Sequence, residues 1–172
     1  MDKLWAPWRS RYVTGAAKDP NPECIFCQKL HDDPKRDAPN YLLTRTENCF
    51  VILNLFPYNN GHLLVAPKRH VGDIEELAAE EMLELFEVTR WMVEVLRRAF
   101  QPDGFNIGIN VGRVAGAGIP GHFHIHIVPR WNGDTNFMPV LGDVKVISEA
   151  LDDSYRKLRA GLEETRAREE DQ

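Results

Sequence analysis

No apolar run in this 172-residue chain approaches the ~20 residues that a membrane-spanning helix requires. Its start, Met1-Asp2-Lys3-Leu4-Trp5, lacks the apolar core of a signal peptide, so the expected location is the cytoplasm and no membrane partner is expected. Cysteine is scarce. Three residues in such a compartment exclude a disulfide framework and leave metal binding or free thiols. A basic excess is also missing, and the net charge of −5 argues against a general nucleic-acid surface. It leaves room for a small anionic substrate, which local groups would hold. Internal repeats and low-complexity linkers are absent too. What remains is an ordinary globular composition, 43% apolar and 27% charged, of one-domain length.

Against that background one stretch stands out, His122-Phe-His124-Ile-His126-Ile-Val-Pro-Arg-Trp131, which holds half of the six histidines. Strict alternation predicts a β-strand, because successive side chains point to opposite faces. His122, His124 and His126 then line one face at steps of roughly 7 Å. Phe123, Ile125 and Ile127 go to the core, and Pro129 marks where pairing stops. Three chemistries are open to such a face. The histidines are structural, or they are a zinc or iron triad, or one imidazole attacks phosphorus while its neighbours hold charge.

Residues 1–23, rich in Pro, Gly, Trp and Arg, read as an ordered N-terminal arm, since Trp5, Trp8 and Tyr12 offer too much apolar area for a free tail. Residues 24–172 read as a single domain. Cys24-Ile-Phe-Cys27 is by itself a weak signal, shared by redox pairs, buried thiols and metal sites. With His70 and a triad histidine as partners it fits a closed tetrahedral zinc site. Residues 28–39 read as a surface loop, then strands are expected over 41–44, 49–55 and 62–67, with a turn at Thr46-Glu-Asn. Asp73, with Glu76 as capping-box partner, is the expected start of a helix. Met82, Leu85, Phe86, Met92, Val93, Leu96 and Phe100 give that helix one apolar face. Pro102 stops it. Residues 105–111 should pair beside the triad strand, and a C-terminal helix carries Ile147, Leu151, Leu158 and Leu162 before a solvated tail, 163–172. Cys49 reads as core, and His62 as a structural histidine holding its turn. The glycine-rich loop 112–121 can present backbone N–H groups, notably around Gly116, Ala117 and Gly118, to phosphate oxygens.

The triad stretch resembles the signature of the histidine triad (HIT) family. The likeness extends upstream through Asn54-Leu-Phe-Pro-Tyr-Asn-Asn-Gly-His62, covering roughly residues 40–131. Leu4-Trp-Ala-Pro-Trp-Arg9 and Pro129-Arg-Trp-Asn-Gly-Asp-Thr-Asn-Phe137 resemble the branch that contains bacterial diadenosine tetraphosphate phosphorylases. The resemblance implies an α+β fold: an antiparallel sheet of about five strands packed on one long helix, with a C-terminal helix. It also implies a homodimer and a nucleotide substrate.

The implied mechanism is nucleotidyl transfer through a covalent intermediate on His124, with His126 on the phosphate or bridging oxygen and no catalytic metal. Asn54 matches the residue that binds ribose hydroxyls and Asn110 one that contacts the phosphate region. Galactose-1-phosphate uridylyltransferases, relatives of this family, hold zinc through residues that correspond to Cys24, Cys27, His70 and His122. His122 then serves either the metal or the phosphate network. Better-known hydrolase branches carry Gly-Gln-Ser or Gly-Gln-Thr before the triad. Here those positions are Ala117, Gly118 and Ile119, with Arg113 as a candidate replacement cation. The alternatives are a phosphoramidate hydrolase, a nucleotide-binding regulatory module, and a metal-dependent hydrolase with the three histidines as ligands.

Overall fold

The computed structural model describes residues 24–135 and 147–170. The expected N-terminal arm lies outside the described residues. Strands β1 (Leu42–Arg45), β2 (Cys49–Leu53), β3 (Leu63–Pro67), β4 (Gly104–Ile109) and β5 (Ile125–Arg130) form one sheet in the order β1-β2-β3-β5-β4. Every pairing is antiparallel. Three α-helices complete the described chain: α1 (Ile25–His31), α2 (Ala79–Phe100) and α3 (Leu151–Glu170). This is the α+β arrangement that the sequence predicts. No described helix is long and apolar enough to cross a membrane.

Alternation puts the sheet's side chains into two apolar layers. Leu43, Val51, Leu53, Leu63, Val65, Phe123, Ile125 and Ile127 pack under α2 and α3. Leu42, Phe50, Ile52, Leu64 and Ala66 form the opposite layer with Phe26 and Leu30 of α1. Leu64 pairs with His126 across β3 and β5, so the triad histidines share their face with this second, smaller layer. The sheet is therefore covered on the face that carries the triad.

Several boundaries differ from expectation. The segment over residues 28–39 is not all loop. Its first part belongs to α1, whose Phe26 and Leu30, four apart, reach the sheet from one helical face. Pairing of the triad strand starts at Ile125 rather than His122. Before it, the Phe123 N–H bonds Val71 O at 2.6 Å, in the segment that follows β3. Pro129 does not end the strand either. It pairs with Phe105, and its carbonyl accepts from Asn59 Nδ2 on the side where β3 has already stopped. The position without a donor thus faces away from the β4 ladder.

Asp73 precedes only a short 3-10 turn, Ile74–Glu76, and makes no side-chain cap. The start of α2 is held instead by Glu81, whose carboxylate accepts from Ala78 N–H at 2.9 Å. The buried stripe of α2 is Leu85, Val88, Met92, Val95 and Leu96, while Met82 and Phe86 are exposed. Helix α3 runs on through the expected tail to Glu170, burying Thr165 on the way. Its Gly161 permits close approach to α2: a Cβ there would sit 3.2 Å from Val95 O.

Glu84 ties α2 to the β1–β2 turn. Its carboxylate accepts from Thr46 Oγ1, Asn48 N–H at 2.9 Å and Asn48 Nδ2 at 2.7 Å. Partial burial pushes this carboxyl up, but the hydrogen bonds from Thr46 and Asn48 outweigh it and hold it below the ordinary range. A depressed carboxylate contributes stability above its unfolded pKa and loses it as pH falls through the folded value. Glu84→Gln should therefore cost about 2 kcal/mol in denaturant melts at pH 7. The gap to wild type should narrow as pH falls below about 4, and an unchanged gap would show that the clamp does not act through charge.

Candidate active site

Three segments meet at the site: the β2–β3 connection with Asn54, Tyr58 and His62, the end of β4 with Asn110, and the chain entering β5. What each histidine can do follows from which ring nitrogen carries its proton, and the neighbouring groups decide that. Nδ1 of His124 lies 2.8 Å from the carbonyl of His122. A carbonyl only accepts, so Nδ1 holds the proton and Nε2 keeps its lone pair. No other hydrogen bond holds the ring among the described residues. His124 is 4% exposed, with Phe26 edge-on at 5.3 Å and His126 beside it at 4.8 Å. Burial pushes its pKa below that of free imidazole, which keeps the lone pair available.

His126 is set by a relay. The backbone N–H of Tyr58 donates to Nδ1 of His62 at 3.0 Å, and the amide of Asn54 lies 3.2 Å from the same nitrogen. Asn54 Oδ1 is meanwhile engaged by Phe56 N–H at 3.0 Å. His62 must then carry its proton on Nε2, which meets Nδ1 of His126 at 3.0 Å. That leaves the proton of neutral His126 on Nε2, 3.5 Å from Nδ2 of Asn110, whose amide must turn its oxygen to the ring to accept that proton. The ring of Tyr58 stacks on His126 at 5.8 Å. His62 does hold its turn, as the sequence suggests, but its second role was not legible there. Its partner is 64 positions away.

His122 faces elsewhere. Its Nε2–H donates to Pro67 O at 2.8 Å, so Nδ1 has the lone pair, and that nitrogen lies 3.4 Å from Cys24 Sγ and 3.6 Å from Cys27 Sγ. His70 Nδ1 is 3.4 Å from Cys27 Sγ. The four ligand atoms of Cys24, Cys27, His70 and His122 all fall within 4.8 Å of one another, a candidate metal centre. Two thiols and two imidazoles are the donor set of a closed tetrahedral zinc site, whose bonds of ~2.0–2.3 Å give edges of roughly 3.3–3.8 Å, and the sulfur–nitrogen contacts of 3.4–3.6 Å fall in that range. Burial holds the His122 ring below the usual imidazole pKa, which suits a ligand that must be neutral to bind. Its ring belongs to this cluster. Its carbonyl belongs to the triad.

The loop after β4 is less open than its glycines suggest. Gly116 N–H bonds Arg113 O at 3.0 Å and Ala117 N–H bonds Gly112 O at 3.3 Å, closing a short 3-10 turn, Arg113–Ala115, with Gly112 and Gly116 at positive φ. Ala117 is buried and Gly118 partly so. These two amides are spent inside the loop.

Comparison with known proteins places the chain in a family. The HIT domain family matches residues 35–133. An AP-4-A phosphorylase of Mycobacterium tuberculosis is 38% identical over 161 residues, covering 92% of this chain and 83% of that protein. The Bis(5'-nucleosyl)-tetraphosphatase [asymmetrical] of Schizosaccharomyces pombe is 38% identical over 90 residues, 52% of this chain and 49% of that protein. A crystal structure of a Zn-bound histidine triad family protein from Mycobacterium smegmatis superposes with a TM-score of 0.68 at 31% identity, covering 84% of this chain and 96% of that one. The chain belongs to the histidine triad (HIT) family.

Proposed function

We propose that this protein is a nucleotidyl transferase that cleaves a dinucleoside polyphosphate, diadenosine tetraphosphate being the leading candidate, through a covalent intermediate on His124. The observation that carries this reading is the bond from His124 Nδ1–H to the His122 carbonyl, which leaves Nε2 as a neutral, oriented nucleophile. Nε2 attacks the α-phosphorus, a P–N bond forms, and the P–O bond to the polyphosphate breaks. His126, carrying its proton on Nε2, donates to the departing or non-bridging oxygen. An acceptor oxygen then attacks phosphorus and the electron pair of the P–N bond returns to Nε2. Phosphate as acceptor converts the nucleotidyl group to ADP, and water converts it to AMP, with ATP leaving in the first step in either case. Asn54 beside His62 suits a ribose contact, and Asn110 beside His126 a phosphate contact. Because the amides of Gly116 and Ala117 are engaged, side chains rather than those two amides would hold the phosphates; the N–H of Gly118 is the loop donor in reserve.

The names of the relatives support this substrate class. The rival reading, three histidines around one catalytic ion, is disfavoured by their partners: the ring of His122 faces two cysteines, His124 a carbonyl, and His126 another imidazole. We assign a structural zinc to Cys24, Cys27, His70 and His122. When bound, it would pin α1 and the chain entering β5 together, without touching substrate. Residues 24–172 act as one domain in this reading, with 1–23 as its arm and the cytoplasm as its setting.

We also propose a homodimer through β4. The other outer strand, β1, is covered by α3, whose Tyr155 OH and Arg159 donate to the carbonyls of Leu42 and Leu43. No described element covers β4 in that way, and its Ile107 is 49% exposed, so its outer edge is a template for a second copy.

Incubation with diadenosine tetraphosphate, with and without phosphate, should give ADP plus ATP or AMP plus ATP. His124→Ala should lower turnover by at least about a thousandfold, and an alkaline quench of wild type should trap nucleotide on that imidazole. Full activity in the variant would end the mechanism. Elemental analysis should find one zinc per chain, and Cys27→Ser should lose the metal and melt earlier; a variant with unchanged metal content and melting would remove the structural assignment. Ile107→Asp should shift light-scattering mass from dimer to monomer, whereas a wild-type monomer would overturn the interface.

A further inference from the structure

One motif takes no part in the chemistry above: Pro129-Arg-Trp-Asn-Gly-Asp134, directly after the triad strand. Asp134 is its centre. Its carboxylate, 7% exposed, accepts from Arg130 Nε at 2.6 Å, Arg130 Nη2 at 2.8 Å, Trp131 N–H at 3.1 Å and Asn59 Nδ2 at 2.8 Å. An ion pair alone would need only the arginine. The bond to Asn59 reaches a loop 75 positions earlier in the chain. Asn59 is itself 7% exposed, donates to Pro129 O at 3.0 Å as well, and accepts the His62 N–H on its own carbonyl at 3.3 Å.

The position of Asn59 gives this grip its consequence. It follows Tyr58, whose backbone N–H dictates the proton position on His62 and through it on His126. The turn also contains Gly61 at φ +70, where a Cβ would sit 2.9 Å from the Phe100 ring. The backbone bonds Asn54 N–H to His62 O at 2.9 Å and His62 N–H to Asn59 O at 3.3 Å close the turn on itself, and the Asn59 side chain ties it to the end of β5 and to Asp134. A hydrogen bond such as His62–His126 is lost once the heavy atoms separate beyond ~3.5 Å. A shift of half an ångström in this turn therefore breaks the relay.

We propose that Asp134 is a positioning residue: by holding Asn59 it fixes the 54–62 turn at the spacing where His62 delivers its Nε2 proton to His126 Nδ1. Its kinetic consequence rests on the proposed role of His126, whereas its geometric content does not.

Long-range proton–nitrogen NMR of the histidine rings in the full-length protein tests it without substrate. Wild type should show His62 and His126 each as a single Nε2–H tautomer. Asn59→Ala and Asp134→Asn should replace the His126 pattern by an exchanging mixture while His124 stays Nδ1–H. Both should lower kcat with diadenosine tetraphosphate about 10- to 100-fold, with KM changed less than about threefold. Arg130→Ala removes the ion pair but leaves the Asn59 bond. It should lower the melting temperature while keeping the His126 tautomer and kcat, which a merely structural role of Asp134 would not allow. If Asp134→Asn does not fold, Asn59→Ala, which spares the ion pair, decides alone. A wild-type tautomer pattern in Asn59→Ala overturns the proposal, as does an Arg130→Ala protein that scrambles His126 equally. If wild type itself turns over no dinucleotide, the functional reading fails and the tautomer arm still decides this one.

Discussion

The hydrogen bond from His124 Nδ1 to the carbonyl of His122 governs the chemistry open to this site. Without it the imidazole would sample both tautomers and several rotamers, and in the proposed reaction its lone pair would face phosphorus only part of the time. The bond spans two residues of one chain, so it holds only if the backbone of His122 is itself immobile. That backbone is fixed from three sides. The ring of His122 donates to Pro67 O, its N–H bonds Ile119 O, and the next residue bonds Val71. Orientation of the proposed nucleophile is thus inherited from the path of the main chain before β5, not from the β-ladder.

Placing three imidazoles on one face of a sheet, two of them buried and the third half-buried, carries a desolvation cost unless each finds partners. Here every ring does. One nitrogen of each is satisfied by protein, and the other serves a different end. For His122 that end is the pair of thiols; in the proposed reaction it is phosphorus for His124 and a substrate oxygen for His126. The assignments do not compete because the partners differ in kind. A carbonyl enforces a proton on the nitrogen it meets, and a backbone N–H enforces a lone pair. Tyr58 and His122 therefore set opposite tautomers on rings that lie side by side.

Much of the fold was legible because the sheet obeys a period of two and α2 a period near 3.6. Cys49–Leu53 and Leu63–Pro67 announce themselves by composition, and His122–Ile127 by alternation. The gathering of Cys24, Cys27, His70 and His122 was legible through the family resemblance, since no local pattern links positions so far apart. What stayed hidden depends on single long-range contacts. Helix α1 is only seven residues long, so Phe26 and Leu30 form too short a pattern to see. Pro129 reads as a stop until one knows that β3 has already ended beside it. The relay through His62 and the grip of Asp134 on Asn59 join separate segments through polar side chains, which carry no periodicity.

Helix α1 shows how these levels combine. Seven residues cannot sustain a helix in water, where even ~12–15 are marginal. Two anchors compensate. Phe26 and Leu30 bury against the smaller apolar layer, and Cys24 and Cys27, one at the helix start and one in its first turn, converge with His70 and His122. Between those anchors the ring of Phe26 meets both His122 and His124 edge-on at 5.3 Å. The element that roofs His124 is therefore held by the same residue whose carbonyl orients that ring. A disturbance of the thiol–imidazole cluster would loosen the roof, admit water to the buried ring and free the carbonyl together. In the proposed reaction, a group that never touches phosphorus would thereby decide how well phosphorus is attacked.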